Sequence, residues 1–132
     1  MKKLLVTFLV GYAFTAQAQN LSLIVNVKKF KNNDGFAYVM LQDPTKKSLQ
    51  QQWIKIEKNE TQAVFNNLKS GRYAVRSYHD ENNNKKMDTD FLGIPKENWG
   101  CSNNVRPHLA APKFEDMIFV LEKDETITIN MK

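Results

Sequence analysis

Apolar residues at every second position are the feature of this chain that most constrains its fold. Apolar and polar side chains alternate over residues 21–27, and similar alternation recurs over 73–78 and 126–131. A period of two puts successive side chains on opposite faces of a β-strand, so that one face packs inward and the other meets solvent. Further short strands are predicted over 36–41, 51–57, 61–65 and 117–121. These seven segments predict an all-β protein.

Turn-forming residues separate the predicted strands. Asn32–Gly35 is typical of a tight hairpin, and Asp43-Pro44 ends the second strand. Seven short strands joined by such turns predict an antiparallel sandwich of the immunoglobulin-like or prealbumin-like kind. A helix over Leu49–Trp53 stays open as an alternative. Residues 89–115 contain no predicted strand, but their apolar side chains include Phe91, Leu92, Ile94, Trp99 and Phe114, which predicts a long ordered loop after the fifth strand.

Residues 1–18 have the pattern of a secretory signal peptide. Lys2 and Lys3 precede an apolar run over residues 4–14, and Ala16-Gln17-Ala18 supplies the small residues at a cleavage site. The run is too short to span a bilayer. We expect cleavage after Ala18, a single domain over 19–132 and an exported protein, periplasmic or secreted, that does not span a membrane. An uncleaved N-terminal anchor is the alternative.

Charge and cysteine content exclude two classes of protein. The formal net charge is +5, from 19 basic and 14 acidic residues. The lysines are scattered among acidic residues, so the sequence lacks the concentrated basic stripe of a nucleic-acid-binding protein. Cys101 is the only cysteine. No intramolecular disulfide can form, and we expect the thiol to be buried.

Oxygen-bearing side chains at alternate positions form the strongest candidate site. Asp80, Asn82, Asn84 and Asp88 occupy positions 1, 3, 5 and 9 of a calcium-loop pattern, and Lys86 at position 7 would use its backbone carbonyl. Calcium prefers such oxygen ligands. The five residues therefore predict a calcium site, with magnesium as the alternative ion and turns closed by the Asp and Asn side chains as the alternative without metal.

Two departures from that pattern predict weak binding. Position 6 is Lys85 instead of glycine, and position 12 is Phe91 instead of a bidentate glutamate. A remote carboxylate would have to complete the site, and Asp90, Glu115 and Asp116 are candidates. With few carboxylates, we expect a dissociation constant of about 0.1–1 mM.

Two other functions compete with a calcium-stabilised module. An enzyme could use His79 with Glu115 or Asp116 as acid and base, although the spacing does not bring them together. A carbohydrate-binding module could use Trp53, Trp99 and Phe114, which would require coplanar exposed rings on one sheet face. Apolar burial is the ordinary role of such rings.

Several motifs resemble one bacterial secreted family, the domain of unknown function 2141. They begin with Gly71-x-Tyr73-x-Val75 and the Asp80 loop, continue with 91–97 and 100–104, and end with 114–116 and 126–129. The resemblance covers nearly the whole chain after residue 18. It implies an exported β-sandwich without an established activity, and it implies glycine at the positions of Asn83 and Lys85. The family is similar in outline to prealbumin-like modules, but the chain lacks the C-terminal tyrosine-rich motif of their hydrolases.

We therefore expect a non-enzymatic binding or interaction module of the cell envelope, with an unidentified envelope or extracellular ligand.

Overall fold

A computed structural model describes residues 19–132, and the predicted signal peptide lies outside them. Eight strands are present, together with a 3₁₀ turn over Ser102–Asn104 and a one-turn helix α1 over Phe114–Met117. The strands are β1 Leu21–Lys28, β2 Phe36–Gln42, β3 Ser48–Lys55, β4 Glu60–Leu68, β5 Gly71–Asp80, β6 Trp99–Cys101, β7 Phe119–Leu121 and β8 Glu125–Asn130.

The strands form two sheets that pack as a sandwich. One sheet has the order β4-β1-β8, and the other has the order β3-β2-β5-β6, with β7 paired to the first residues of β5. The inward residues of β1, β2, β4 and β5 make a single core, in which the fully buried side chains include Leu23, Val25, Val39, Phe65 and Val75. The alternation in the sequence is thus the alternation of core and solvent faces, and the predicted all-β sandwich is confirmed.

The connectivity differs from the predicted seven antiparallel strands. There are eight strands, because Trp99–Cys101 pairs with β5 inside the predicted long loop. The sheet pairing is not wholly antiparallel either, since β1 and β8 run parallel. The Asn32–Gly35 turn is not a hairpin, because β1 and β2 belong to different sheets and this segment carries the chain between them. Leu49–Trp53 is strand, not helix.

Part of the long connection packs against β5 on the outer face of the larger sheet. Cys101 is 1% exposed and lies in a small apolar cluster with Ala74, Phe114 and Met117. Burial raises the pKa of the Cys101 thiol. The expected burial of Cys101 is confirmed. Within residues 19–132, no helix is long and apolar enough to cross a membrane.

The Asn32–Gly35 segment fixes the far end of β5. Gly35 has φ +63°, and a Cβ there would lie 1.9 Å from the carbonyl oxygen of Asp80. One residue earlier in β5, the buried ring of His79 contacts the Asp34 carbonyl through Nε2 at 2.6 Å. Only a residue without a side chain allows the close approach of Gly35 to the Asp80 carbonyl. The Asn32–Gly35 segment therefore holds the end of β5, from which the candidate loop begins.

Replacing Gly35 with alanine should destabilise the protein strongly. The new methyl group would meet backbone atoms of Asp80 in a conformation that already disfavours L-residues, so we expect a loss of more than about 3 kcal/mol in the free energy of unfolding. Gly93→Ala is the matched control, because Gly93 has φ +77° but no atom within 4 Å of its added methyl group. It should cost only about 1 kcal/mol. Equal losses in urea unfolding would contradict the steric explanation.

Candidate functional site

The loop after β5 begins from a carboxylate that is completely buried. Asp80 is 0% exposed, and its two carboxylate oxygens accept hydrogen bonds from the backbone amides of Asn84 (3.1 Å) and Lys85 (2.8 Å). A buried carboxylate is costly unless donors of this kind satisfy it. Asp80 therefore folds residues 81–85 back over the end of β5.

Asp88 gathers the next polar side chains of the loop. Its Oδ2 accepts a hydrogen bond from Nδ2 of Asn82 at 2.8 Å, and both of its oxygens lie within 3.0 Å of Nδ2 of Asn84. These bonds, from Asn84 first and then Asn82, lower the pKa of Asp88, and the charges of Lys86 and Lys96 act in the same direction. Asp88 thus remains a carboxylate at neutral pH.

The structure brings the side chains of four of the five predicted ligands into one hydrogen-bonded group: Asp80, Asn82, Asn84 and Asp88. The fifth residue, Lys86, joins the group through its backbone amide, which donates to Oδ1 of Asn84 at 3.0 Å. Side-chain hydrogen bonds join only Asn82, Asn84 and Asp88, whereas Asp80 joins them through the backbone amide of Asn84, and the predicted calcium site stays a prediction.

Glu97 is the remote carboxylate of this loop, and the sequence argument missed it. Its Oε2 accepts a hydrogen bond from the Asp88 amide at 3.1 Å, while its Oε1 is buried without a hydrogen-bond partner. The residue is 9% exposed. Burial raises the pKa of Glu97 and the charges of Asp88 and Asp80 raise it further, although the backbone amides of Asp88 and Glu81 act in the opposite direction. A buried acceptor with nothing to accept from is unusual in a folded protein, and here it lies beside the Asp88 group.

Two backbone positions in the loop adopt the left-handed conformation. Asn83 has φ 53° and Lys85 has φ 61°. These are the two positions at which the family resemblance implies glycine, and the backbone explains why glycine fits them. Lys85 adopts this conformation although it carries a side chain, and the hydrogen bond from its amide to Asp80 at 2.8 Å holds it there.

The amides of Asn82 and Asn84 now present Nδ2 to Asp88. A half turn of each amide would present Oδ1 to the same centre, as a cation would require. That rotation would release two backbone contacts, Asn84 to Asn82 Oδ1 at 3.2 Å and Lys86 to Asn84 Oδ1 at 3.0 Å. Among the side chains of residues 19–132, no cluster of three or more His, Cys, Asp or Glu residues has the arrangement of a metal site. Both facts weigh against tight binding.

The residues of the competing enzyme hypothesis lie apart. His79 is fully buried against the edge of Phe30, with ring centroids 5.2 Å apart, and Oε1 of Glu81 is 3.7 Å from its Nδ1. Glu115 and Asp116 are on α1, which packs against the 3₁₀ turn and β5. His108 is exposed in the segment between the 3₁₀ turn and α1. His79 thus joins the core and the crossover segment, and the structure shows no contact between it and Glu115 or Asp116.

A row of four aromatic side chains crosses the outer face of the larger sheet. Register pairs Trp53 with Tyr38, Tyr38 with Tyr78, and Tyr78 with Trp99. The Tyr38 ring lies 4.6 Å from Trp53 at 48° and 4.9 Å from Tyr78 at 43°. The rings share one sheet face, as the carbohydrate hypothesis requires, but they are inclined instead of coplanar. Phe114, also expected on that surface, is buried.

Comparison with known proteins gives one match. The model of a family described as an uncharacterized protein conserved in bacteria, DUF2141, matches residues 22–129. No curated protein and no solved structure matches the chain.

The buried acid predicts a specific pH dependence of stability. The folded-state pKa of Glu97 lies above its usual value, so the folded protein binds its proton more tightly than the unfolded chain does. The contribution of Glu97 to stability must therefore fall as pH rises from about 4.5 through that raised pKa.

Urea unfolding in chelator measures this effect. The free energy of unfolding of the wild type, relative to Glu97→Gln, should increase as the pH is lowered from about 7 to about 5. Glu122→Gln is the control, because Glu122 is exposed at the distant β7–β8 turn, and it should give a flat difference. A flat difference for Glu97→Gln as well would show that Glu97 is not buried as described.

Proposed function

The chain belongs to the bacterial family DUF2141, and from its own geometry we propose that it is an exported, non-enzymatic binding module whose Asp80–Asp88 loop is ordered by calcium. The observation that carries the proposal is the unpartnered Glu97 Oε1 beside a group of converging oxygen-bearing side chains. Export is proposed from residues 1–18, which combine a basic start, an apolar run and a small-residue cleavage site.

A calcium ion would compensate two negative charges of the loop at once. It would give the Glu97 carboxylate the counter-charge that its buried oxygen lacks, and it would neutralise the Asp88 carboxylate nearby. Oxygen ligands, flexible geometry and mixed carboxylate and amide donors favour calcium over the smaller and more rigidly octahedral magnesium. Asp80, Asn82, Asn84, the Lys86 carbonyl and Asp88 are the proposed ligands, with Glu97 in place of the glutamate missing at position 12.

The role of the ion would be structural. Residues 89–98 leave the loop and lead to β6, and two hydrogen bonds fasten this segment to Asp88. The Asp88 amide donates to Glu97 Oε2 at 3.1 Å, and the Lys96 amide donates to the Asp88 carbonyl at 2.8 Å. An ion held by Asp88 and Glu97 would therefore fix both ends of that segment. The surface of residues 91–104 would then be presented in one conformation to a partner.

Carbohydrate binding is the second candidate, and the aromatic row favours it. Trp53 is 38% exposed at one end of the row, and Gln51 next to it contacts the Tyr38 hydroxyl at 2.5 Å. Half-exposed rings beside hydrogen-bonding groups suit a sugar face. The inclined rings fit a single sugar unit better than a flat chain of several.

Calcium should raise the thermal stability of the protein processed after residue 18. For a dissociation constant of about 0.1–1 mM, about 10 mM calcium gives roughly 1.4–2.7 kcal/mol, or several degrees in Tm for a domain of this size. Asp88→Ala should abolish the shift between chelator and calcium. Scanning calorimetry measures both.

Asp43→Ala is the matched control for that experiment. Asp43 also accepts several local hydrogen bonds, from Thr45 and Lys47, but lies in the β2–β3 turn. Its loss should lower Tm in both buffers and leave the calcium shift unchanged. If calcium does not shift the Tm of the wild type, the calcium proposal is wrong. The loop is then explained by turns that the Asp and Asn side chains close without a metal.

The sugar hypothesis is tested by the fluorescence of Trp53. Titration with soluble β-linked oligosaccharides should quench the emission saturably, and Trp53→Ala should remove that response, while Trp99→Phe should retain it. Unchanged emission throughout the titration would exclude the aromatic row as a site for these sugars.

A further inference from the structure

We propose that the turn over residues 89–95 is a membrane-docking tip that inserts into the surface of an anionic phospholipid bilayer when the loop holds calcium. The calcium dependence rests on the function proposed above. The turn, here called the apolar tip, exposes Phe91 (95%), Leu92 (70%) and Ile94 (56%) to solvent. Three large apolar side chains so exposed on one short turn contribute little to the core and mark an interaction site.

Four backbone amides of the apolar tip have internal hydrogen-bond partners. Oδ1 of Asp90 accepts hydrogen bonds from the amides of Leu92 (2.8 Å) and Ile94 (2.9 Å). The Gly93 amide donates to the Asp90 carbonyl, and the Asp90 amide donates to the Ile94 carbonyl. Thr89 and Pro95 form a β-bridge at its base. Polar backbone groups with internal partners can approach the lipid interface without a large desolvation cost, so the tip is built for an apolar surrounding.

The charges around the apolar tip favour an anionic membrane as the occupant. Three exposed lysines flank it: Lys85, Lys86 and Lys96. The charges of Lys86 and Lys96 lower the pKa of Asp88. Five carboxylates oppose these three lysines at this end of the molecule: Asp80, Glu81, Asp88, Asp90 and Glu97. The formal balance is −2, which would repel anionic headgroups. One calcium ion brings the balance to zero and so removes the repulsion. The exposed charges that then face the headgroups are those of the three lysines and Glu81, because Asp80 and Glu97 are buried and Asp88 and Asp90 are half-buried.

The shape of the segment also favours a bilayer over a protein groove. The exposed side chains stand on a tight turn that is closed by Gly93 at φ +77°, so they form a small convex point instead of a broad flat face. Apolar side chains of this kind, combined with nearby lysines, suit shallow insertion between headgroups.

Vesicle cosedimentation tests the proposal with the chain that begins at residue 19, because residues 19–132 form the sandwich described above. With vesicles of phosphatidylcholine and phosphatidylglycerol, we expect binding in about 1–10 mM calcium that falls at least about tenfold in chelator and on vesicles of phosphatidylcholine alone. The double variant Phe91→Ser/Leu92→Ser should weaken binding by about tenfold or more.

Val120→Ser is the matched control. Val120 is as exposed as Ile94, at 56%, but lies on β7 opposite the first residues of β5. Vesicle binding by Val120→Ser should equal that of the wild type. Calorimetry on the double variant should retain the calcium shift in Tm, which separates the tip from the ion site.

Three results would overturn the proposal. A calcium shift in Tm without vesicle binding would reject the membrane tip and leave the calcium site intact. Binding of equal strength in chelator would reject the coupling to calcium. Self-association of the wild type that the double variant loses, again without vesicle binding, would assign the tip to contact with a second copy of this chain.

Discussion

The buried carboxylate of Asp80 is the interaction on which the rest of the candidate site depends. It ends β5 inside the sandwich, at 0% exposure, and two backbone amides of the following loop donate hydrogen bonds to its two oxygens. Those bonds hold Lys85 in a left-handed conformation that a lysine would otherwise avoid. The hydrogen bonds that the buried Asp80 carboxylate accepts therefore shape the loop. As a consequence, the polar side chains of Asn82, Asn84 and Asp88 converge.

The strand end itself is fixed by the residues just before β2, the strand that pairs with β5 in the larger sheet. The segment that crosses from β1 to β2 brings Gly35 against the Asp80 carbonyl and the Asp34 carbonyl against the His79 ring. His79, which resembles a catalytic candidate in the sequence, thus has a structural position between core and crossover. The ring of Tyr78 lies at the same end of β5. Burial and the nearby charge of Asp80 raise the pKa of Tyr78 to about 12.

Much of the fold follows from the sequence, because burial on one face leaves a period of two in β1, β5 and β8. What the sequence does not contain is the pairing of those strands. The parallel contact of β1 with β8 joins residues about a hundred positions apart, and β6 is a strand only because β5 and Lys132 supply its partners. Likewise, Asn32–Gly35 has hairpin composition, but the glycine is needed where the start of β2 closely approaches the Asp80 carbonyl at the end of β5, its neighbour in the same sheet.

One part of the candidate site also follows from the sequence, and another part does not. Local spacing predicted that Asp80, Asn82, Asn84 and Asp88 would meet, because side chains two apart in a tight loop converge. Glu97 could not be found by spacing, since the turn of residues 89–95 folds out and returns before the chain meets Asp88 again. The central claim, that a calcium ion joins these two parts, is tested most directly by amide NMR during a calcium titration. We predict saturable shifts confined to residues 80–88 and 96–98, with a dissociation constant of about 0.1–1 mM. Spectra that stay unchanged to about 10 mM calcium, or shifts spread evenly over the surface, would contradict it.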